Sequence, residues 1–243
     1  MIKLETHCHT LYGSHCGLAD ADTIVSRYLD AGYDGVVITN HFVKKHFDSY
    51  KGETDREKLD FYFSLFDEVK EKGEKKGLKV FLGSEVSACT SEEYMLVGFD
   101  RSLFYDNRPL FEMNQKELFE LAEKNGLFFY QSHPFRDRVK VLGDPKYMHG
   151  AEVFNGHYHH TNFNEKAVEF CEKNNLIGLS GTDFHKPEQP ITAGIIVPDY
   201  VTDEKKLVEC LFKRDFEIIC DEQTYLYELE KFLKEKEEKL KCK

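Results

Sequence analysis

Two histidines near the start of the chain have a spacing that suits metal binding. The first apolar run leads into Glu5-Thr6-His7-Cys8-His9-Thr10. On a β-strand, residues two positions apart point to the same side, so His7 and His9 can reach one ion together. Histidine is the commonest metal ligand near neutral pH. The pair alone is weak evidence, because histidines are at least as often solvated or hydrogen-bonded within a core.

The same pattern recurs where five later apolar runs end. Histidines or acids stand at these ends, namely His41, Glu85, His133, His157, and Asp183 with His185. A further histidine, His15, lies in a glycine-flanked loop after the first run. In α/β folds, side chains at the carboxyl ends of parallel strands meet at one edge of the sheet. The sequence therefore predicts a metal site, and histidine and carboxylate ligands with few thiolates are typical of a catalytic one.

Strand and helix patterns alternate along the chain and would position these residues. Strands are predicted over residues 2–9, 35–41, 79–86, 94–99, 127–133, 151–157, 177–185 and 195–197. Helices are predicted over residues 21–31, 55–76, 115–124, 164–173 and 204–213, with a charged helix at about 225–243. This alternation favours an α/β fold with a mainly parallel sheet, open or closed as a barrel. Because no repeat or break in composition marks a second domain, we expect one domain over residues 1–243.

The composition indicates a folded, acidic protein. Hydrophobic residues make up 41% of the 243 positions, too many for a disordered chain. The net charge of −11 disfavours nucleic acid as a partner, because phosphate backbones attract basic surfaces. No stretch is apolar for long enough to span a membrane, so no membrane partner is expected. Seven cysteines without a CxxC pair argue against a disulfide framework, and we expect a reducing, cytoplasmic setting.

Taken together, the motifs resemble those of the PHP (polymerase and histidinol phosphatase) family. They are His7-x-His9-Thr10, His15, Asn40-His41, Gly83-Ser84-Glu85, Ser132-His133-Pro134 and Gly181-Thr182-Asp183-Phe184-His185. The resemblance spans residues 1 to about 200 and implies a distorted seven-stranded (β/α)7 barrel. It also implies two or three divalent ions, usually zinc, manganese or iron, at the carboxyl end of the strands. We expect no organic cofactor.

The resemblance further implies which residues hold each ion. The first ion would be held by His7, His9, Glu85 and Asp183. The second would be held by His15, His41 and His185, and a third by Glu85 with His133. Trinuclear members have a further histidine after the glutamate strand, where this chain has Asp100. Either Asp100 supplies an oxygen ligand there, or the third site is weak or empty.

Residues near these motifs are candidates for substrate contacts. Arg136 and Arg138 follow His133 in a polar loop, and guanidinium groups suit bidentate contacts with phosphate. His157 is placed to touch substrate and to act as a general acid.

Three residues interleaved with the first motif have predicted supporting roles. Glu5 stands where the family commonly has an aspartate, and we expect it to orient a ligand histidine. Cys8 and Cys16 alternate with the ligands, so we expect both to point away from the site and to serve in packing.

These features predict a hydrolase of phosphate esters in which a metal-bridging hydroxide attacks phosphorus. The predicted catalytic residues are Glu85, Asp183 and His157. The expected partner is a small phosphorylated substrate, with histidinol phosphate among the candidates. An amidohydrolase-type C–N hydrolase and a non-catalytic metal-binding PHP module are the alternatives. The oligomeric state is open, although the apolar stripe of the predicted helix at 225–243 suits contact with another subunit.

Overall fold

A computed structural model gives the fold for residues 1–137, 141–221 and residue 230. Its strands in this part of the chain are β1 (Ile2–Cys8), β2 (Gly35–Ile38), β3 (His41–Phe42), β4 (Lys79–Ser87), β5 (Glu93–Val97), β6 (Phe128–Gln131), β7 (Gly150–Asn155), β8 (Ile177–Gly181), β9 (Ala193–Val197) and β10 (Glu217–Cys220). Its helices there are α1 (Ala21–Asp30), α2 (Lys44–Phe47), α3 (Asp55–Lys76), α4 (Ser102–Tyr105), α5 (Gln115–Asn125), α6 (Asn164–Asn174) and α7 (Glu204–Lys213). Short 3₁₀ turns lie at Leu110–Glu112 and Pro145–Tyr147.

The predicted strands and the first five predicted helices are all present, with small differences at their ends. Several strands end earlier than predicted, so His9, His133 and Asp183 lie in the loops that follow β1, β6 and β8. The predicted strand at 35–41 breaks at Thr39 and Asn40 into β2 and β3. The elements β10, α2 and α4 were not predicted. The predicted helix at 225–243 lies outside the described residues, apart from residue 230.

One curved sheet carries the strands in the order β10-β9-β1-β2-β4-β5-β6-β7-β8, with β3 paired to β4 beside this path. The pairs β1–β2, β2–β4, β6–β7 and β7–β8 are parallel. In contrast, β5 is antiparallel to both of its neighbours, β4 and β6. Strand β9 is antiparallel to β1, and β10 to β9.

The two ends of the parallel part of the sheet meet, so the sheet is almost closed. Thr6 Oγ1 on β1 donates to the carbonyl oxygen of Ser180 on β8 at 2.6 Å. Next to this bond, the amide of His9 donates to the carbonyl oxygen of Phe184 at 2.9 Å. The amide of Phe184 donates to the carbonyl oxygen of His7 at 3.1 Å. The predicted barrel is therefore confirmed, but its continuous path has nine strands among the described residues instead of seven, because β9 and β10 extend the edge at β1.

Side-chain caps fix the starts of three helices. Asp20 accepts a hydrogen bond from the amide of Thr23 at the start of α1. Thr54 and Asn114 each form a capping box at the start of α3 and α5. Buried side chains such as Tyr28 of α1, Phe63 and Val69 of α3, and Leu118 of α5 belong to the apolar core that fixes these helices on the sheet. No helix in the described ranges is both long and apolar enough to cross a bilayer.

Candidate metal centre

The carboxyl ends of the parallel strands surround a cavity of about 650 Å³. Its wall includes most of the predicted site residues, namely His15, His41, Glu85, His133, Arg136, His157, Asp183 and His185. Glu93 and Cys16 also line the cavity and were not predicted to do so. This volume suits a small-molecule ligand.

Four predicted ligands meet at the buried floor of this cavity, and they are His7, His9, Glu85 and Asp183. The Nε2 atoms of His7 and His9 lie 2.9 Å apart, and each is 3.3 Å from Asp183 Oδ1. Glu85 Oε2 is 3.6 Å from His7 Nε2 and 3.4 Å from His9 Nε2. Ligands in a tetrahedral zinc site, with bonds of about 2.0–2.1 Å, stand roughly 3.4 Å apart. The arrangement therefore fits one ion.

A second group contains His9, His41 and His185, whose rings stack. The ring centroid of His9 is 4.4 Å from that of His41 and 4.3 Å from that of His185. One nitrogen of each ring lies within 4.8 Å of the others. His15 stands outside this group, on an exposed loop with its ring centroid 6.0 Å from that of His41. The structure thus unites two of the three residues predicted for a second ion and places His15 at the rim.

A third group surrounds the opposite side of the Glu85 carboxylate. Glu85 Oε1 lies 3.1 Å from His133 Nε2, as predicted for a third ion. Glu93 Oε2 lies 3.6 Å from the same nitrogen. The other oxygen of Glu93, Oε1, is 3.7 Å from His41 Nδ1.

Asp100 is not part of this group, so the structure excludes the alternative in which Asp100 supplies an oxygen ligand. It is exposed, and its Oδ1 accepts a hydrogen bond from the amide of Ser102 at the start of α4. The physical reason is the direction of β5, which is antiparallel to β4 and β6. The carboxyl end of β5 therefore lies at the opposite end of the barrel, and its first residue, Glu93, lies at the site.

A buried glutamate on β7, Glu152, orients His7 from behind. Its Oε1 lies 2.7 Å from His7 Nδ1. Its Oε2 accepts hydrogen bonds from the amide of His133 at 2.8 Å and from Asn155 Nδ2 at 3.0 Å. A carboxylate in this position fixes the tautomer of a ligand histidine and directs its other nitrogen to the ion. Sequence reasoning missed Glu152, because a lone acid inside an apolar strand carries no motif.

Glu5 supports the site through the backbone instead of through a ligand ring. Its Oε1 accepts hydrogen bonds from the amides of Thr6 and His7, both at 2.9 Å, and of Thr182 at 2.8 Å. Complete burial raises the pKa of Glu5 to about 7. The expectation that Glu5 orients a histidine side chain is therefore wrong, because Glu152 occupies that position.

Two of the candidate ligands have left-handed backbone conformations. Asp183 has a φ of 54° and His133 a φ of 29°. Such conformations cost non-glycine residues of order 1–3 kcal/mol and persist only where neighbours hold them. Gln189 holds the backbone at Asp183. Its side-chain amide donates to the carbonyl oxygen of Asp183 at 3.0 Å, and its Oε1 accepts from the amide of His185 at 2.8 Å.

Arg136 is a buried cation in the cavity wall. Its Nη2 donates to Asp183 Oδ2 and, at 2.8 Å, to Asn155 Oδ1, while its Nε donates to Asn162 Oδ1 at 3.0 Å. No residue in the described ranges accepts a hydrogen bond from Nη1. The other arginine predicted to bind substrate, Arg138, lies outside the described residues.

His157 lies on the same wall, with its ring centroid 5.5 Å from that of His185. Its Nδ1 accepts a hydrogen bond from the amide of His159 at 3.3 Å. Burial lowers the pKa of His157 to about 3, with a further contribution from nearby Arg136 that Asp183 opposes. His157 is therefore neutral near pH 7 unless an additional negative charge enters the cavity.

The electrostatics of the floor suit a cation. Burial alone would raise the pKa of Asp183, but the charges of His7 and Arg136 outweigh it and hold this pKa well below its usual range. Several buried ligand atoms have no hydrogen-bond partner within the part of the chain that the structure describes, namely His9 Nδ1, Glu85 Oε2, His133 Nδ1 and His185 Nε2. Unpaired buried acceptors are costly, so Glu85 Oε2 and His185 Nε2 mark positions that an ion would satisfy.

The two cysteines of the first motif have different environments. Cys8 is buried in the apolar core, as predicted. Cys16 instead lines the cavity, and Ser14 Oγ lies 3.1 Å from its Sγ. Burial raises the pKa of this thiol, but hydrogen bonds with His185 and Ser14 and the charge of His185 together bring it below its usual value. The expectation that Cys16 points away from the site is therefore wrong, because its loop turns back over the strand end.

Comparison with solved structures identifies the fold. A two-domain protein from Bacteroides vulgatus, containing a predicted PHP-like metal-dependent phosphoesterase, is 22% identical with a TM-score of 0.65 over 89% of this chain and 64% of that one. The chain thus spans less than two thirds of that protein. PsfC from Pseudomonas syringae is 16% identical with a TM-score of 0.67 over 93% of this chain and 97% of that one.

A third structure with this fold acts on nucleic acid. It is the lesion-specific endonuclease EndoQ from Pyrococcus furiosus, which is 13% identical with a TM-score of 0.59 over 89% of this chain and 57% of that one. No family model and no curated protein matches the sequence. At these identities the similarity shows a shared fold, and the predicted resemblance to PHP-like phosphoesterases is confirmed at that level.

Proposed function

We propose that this protein is a metal-dependent hydrolase of phosphate esters that acts on a small phosphorylated substrate. The observation that carries the proposal is the four-donor floor of His7, His9, Glu85 and Asp183 with Arg136 beside it in one cavity. The histidines and carboxylates suit divalent ions, and the guanidinium suits a phosphate oxygen. The shared fold with a protein that contains a predicted PHP-like metal-dependent phosphoesterase supports this proposal.

The candidate ligands for the first two ions form two adjacent groups. His7, His9, Glu85 and Asp183 would hold one ion, and His41 with His185 a second. Bound divalent ions at such a site neutralise phosphoryl oxygens and lower the pKa of a water molecule. Glu85 Oε2 lies 3.4 Å from His9 Nε2 and 3.2 Å from His41 Nδ1, so this oxygen stands between the two positions.

Arg136 is the residue best placed to orient the substrate. Hydrogen bonds to Asn155, Asn162 and Asp183 fix its Nε and Nη2. The fixed guanidinium leaves Nη1 available to a ligand in the cavity that Arg136 lines. Because the group is already held in place, little conformational entropy is lost when it binds an anion.

His157 can serve as the proton donor only when the substrate is bound. Its pKa of about 3 makes it neutral in the free protein near pH 7. A phosphate dianion beside it would raise that pKa, because a nearby negative charge favours the imidazolium form. The proposed role of general acid therefore depends on the charge of the substrate itself.

The size and charge of the molecule favour a small substrate over a polynucleotide. The cavity of about 650 Å³ can enclose a phosphorylated metabolite. The net charge of −11 opposes binding of a long phosphate backbone. Histidinol phosphate, nucleotides and sugar phosphates are the substrate classes to test first.

The test combines elemental analysis with a screen for phosphate release. We expect purified protein to contain divalent metal and to release phosphate from at least one monoester. His9→Asn and Asp183→Asn should abolish turnover and retain the far-ultraviolet circular dichroism of the fold. Asp100→Asn is the matched control and should retain full activity. Undiminished phosphate release by both site variants contradicts the proposal, and hydrolysis of a cyclic amide without phosphate release supports the amidohydrolase alternative.

A further inference from the structure

We propose that Glu93 is a metal ligand that, with Glu85, bridges the positions of His41 and His133 and thereby completes a third ion site. This inference rests on the proposed metal-dependent function. Glu93, the first residue of β5, would take the role that the sequence left open for Asp100, which lies beyond the other end of this strand.

The hairpin between β4 and β5 carries Glu93 to the site. Glu93 pairs with Ser87 across the two antiparallel strands, and Glu85 pairs with Met95. Facing residues of such a pair point to the same side of the sheet, and Glu85 and Ser87 are two positions apart on one strand. Glu85 and Glu93 are therefore diagonal neighbours on the face that lines the cavity.

Ser132, the residue that follows β6, fixes this arrangement from the other side. The carbonyl oxygen of Glu93 accepts hydrogen bonds from the amide of Ser132 at 3.1 Å and from its hydroxyl at 3.0 Å. The same hydroxyl lies 2.6 Å from Glu85 Oε1. Ser132 thus holds both acids next to His133, the residue that follows it in the chain.

The two carboxylates have parallel sets of neighbours. Glu85 places Oε2 3.2 Å from His41 Nδ1 and Oε1 3.1 Å from His133 Nε2. Glu93 places Oε1 3.7 Å and Oε2 3.6 Å from the same two nitrogens. Each acid therefore has one oxygen toward each histidine, which is the arrangement of two bridging carboxylates.

The negative charge of the Glu85 and Glu93 carboxylates also favours a bound cation. Within the described ranges neither Glu85 nor Glu93 forms an ion pair with lysine or arginine, and their charged neighbours are histidines. Two adjacent carboxylates repel each other, and this repulsion is relieved when a cation binds between them. Glu93 is 31% exposed at its side chain, so an ion can reach it from the cavity.

The ligand set predicts a metal preference at this position. Two carboxylates with one histidine form an oxygen-rich site, and oxygen ligands suit manganese, whereas imidazole-rich sites suit zinc. We therefore expect the third position to take Mn²⁺ and the floor, which offers two histidines, to tolerate Zn²⁺.

The experiment counts ions in full-length protein that has been stripped with a chelator and titrated with Mn²⁺ alone. Calorimetry and elemental analysis of the desalted protein should give three ions per chain for the wild type and for Asp100→Asn. Glu93→Gln should bind one ion fewer, while its circular dichroism and its unfolding temperature in chelator stay close to those of the wild type.

Two results would overturn the inference. One is a Glu93→Gln protein that binds as many ions as the wild type. The other is a wild-type protein that binds only two ions, a result that stands even if the variant does not fold. Either result leaves the proposed hydrolase intact, because that proposal is tested separately, by metal content and phosphate release of the wild type and by loss of release in His9→Asn and Asp183→Asn.

Discussion

Replacing Glu152 with glutamine tests how the site orients His7. All partners of the Glu152 carboxylate are donors when His7 binds an ion through Nε2, because the proton of the ring is then on Nδ1. Oε1 accepts from His7 Nδ1 at 2.7 Å, and Oε2 accepts from the amide of His133 and from Asn155 Nδ2. Glutamine offers one oxygen and one amino group, so it cannot accept on both sides.

Either orientation of the glutamine weakens metal binding. If its amino group faces His7, the ring must carry its proton on Nε2, and that nitrogen is lost as a ligand. If its amino group faces His133 and Asn155, two hydrogen bonds are lost, at roughly 0.5–1.5 kcal/mol each, and the left-handed backbone of His133 loses its anchor. Changes to carboxylates behind ligand histidines lower metal affinity by about 10–100-fold, or roughly 1.4–2.8 kcal/mol.

The assay is a calorimetric titration of chelator-stripped protein with Zn²⁺ or Mn²⁺. Glu123→Gln is the matched control, because Glu123 forms the same kind of pair with His149 at 2.8 Å at the amino end of β7, away from the site. We expect the control to bind metal as the wild type does and Glu152→Gln to bind at least about tenfold more weakly. Equal affinities for all three proteins would refute the role assigned to Glu152.

Three further predictions follow from the site. Arg136→Lys should raise KM at least about tenfold, because lysine cannot hold Asn155, Asn162 and Asp183 together and still present a donor to phosphate; an unchanged KM would contradict this. Removal of metal should lower the unfolding temperature by about 5–10 °C, because an ion at 100 times its dissociation constant adds about 2.7 kcal/mol of stability; identical melting with and without chelator would count against a bound ion. Gly13→Ala should lower stability by about 1–3 kcal/mol, since a Cβ would lie 2.1 Å from the side chain of Asn40, and denaturant unfolding measures this loss.

Sequence reasoning identified the residues of the parallel strands well, because their geometry follows a simple rule. Each parallel strand brings its carboxyl end to the same edge, and His41, Glu85 and His133 follow apolar runs that β3, β4 and β6 confirm as strands or their ends. The rule fails for an antiparallel strand, where the first residue takes the place of the last. For that reason Asp100 was considered as a ligand and Glu93 was overlooked.

A signal for the reversed strand was present in the sequence. The predicted strands at 79–86 and 94–99 are separated by seven positions, whereas a crossover between parallel strands needs a dozen or more residues. A hairpin was therefore the only short connection available. The positions of Cys16 and Glu152 had no comparable signal, since a loop that turns back over the site and a buried acid on an interior strand depend on tertiary packing.

The closure of β1 against β8 has a consequence for how the protein folds. The hydrogen bond between Thr6 and Ser180 joins residues 174 positions apart, and closing a chain of that length costs about 4–5 kcal/mol of loop entropy beyond the constant term. His7 and Asp183 lie on the two sides of this junction and share one candidate ion site. Ion uptake during refolding should therefore follow barrel closure. An ion bound by residues on both sides of the junction would slow the separation of β1 from β8. Stopped-flow refolding with a fluorescent metal indicator would show uptake only in the slowest folding phase.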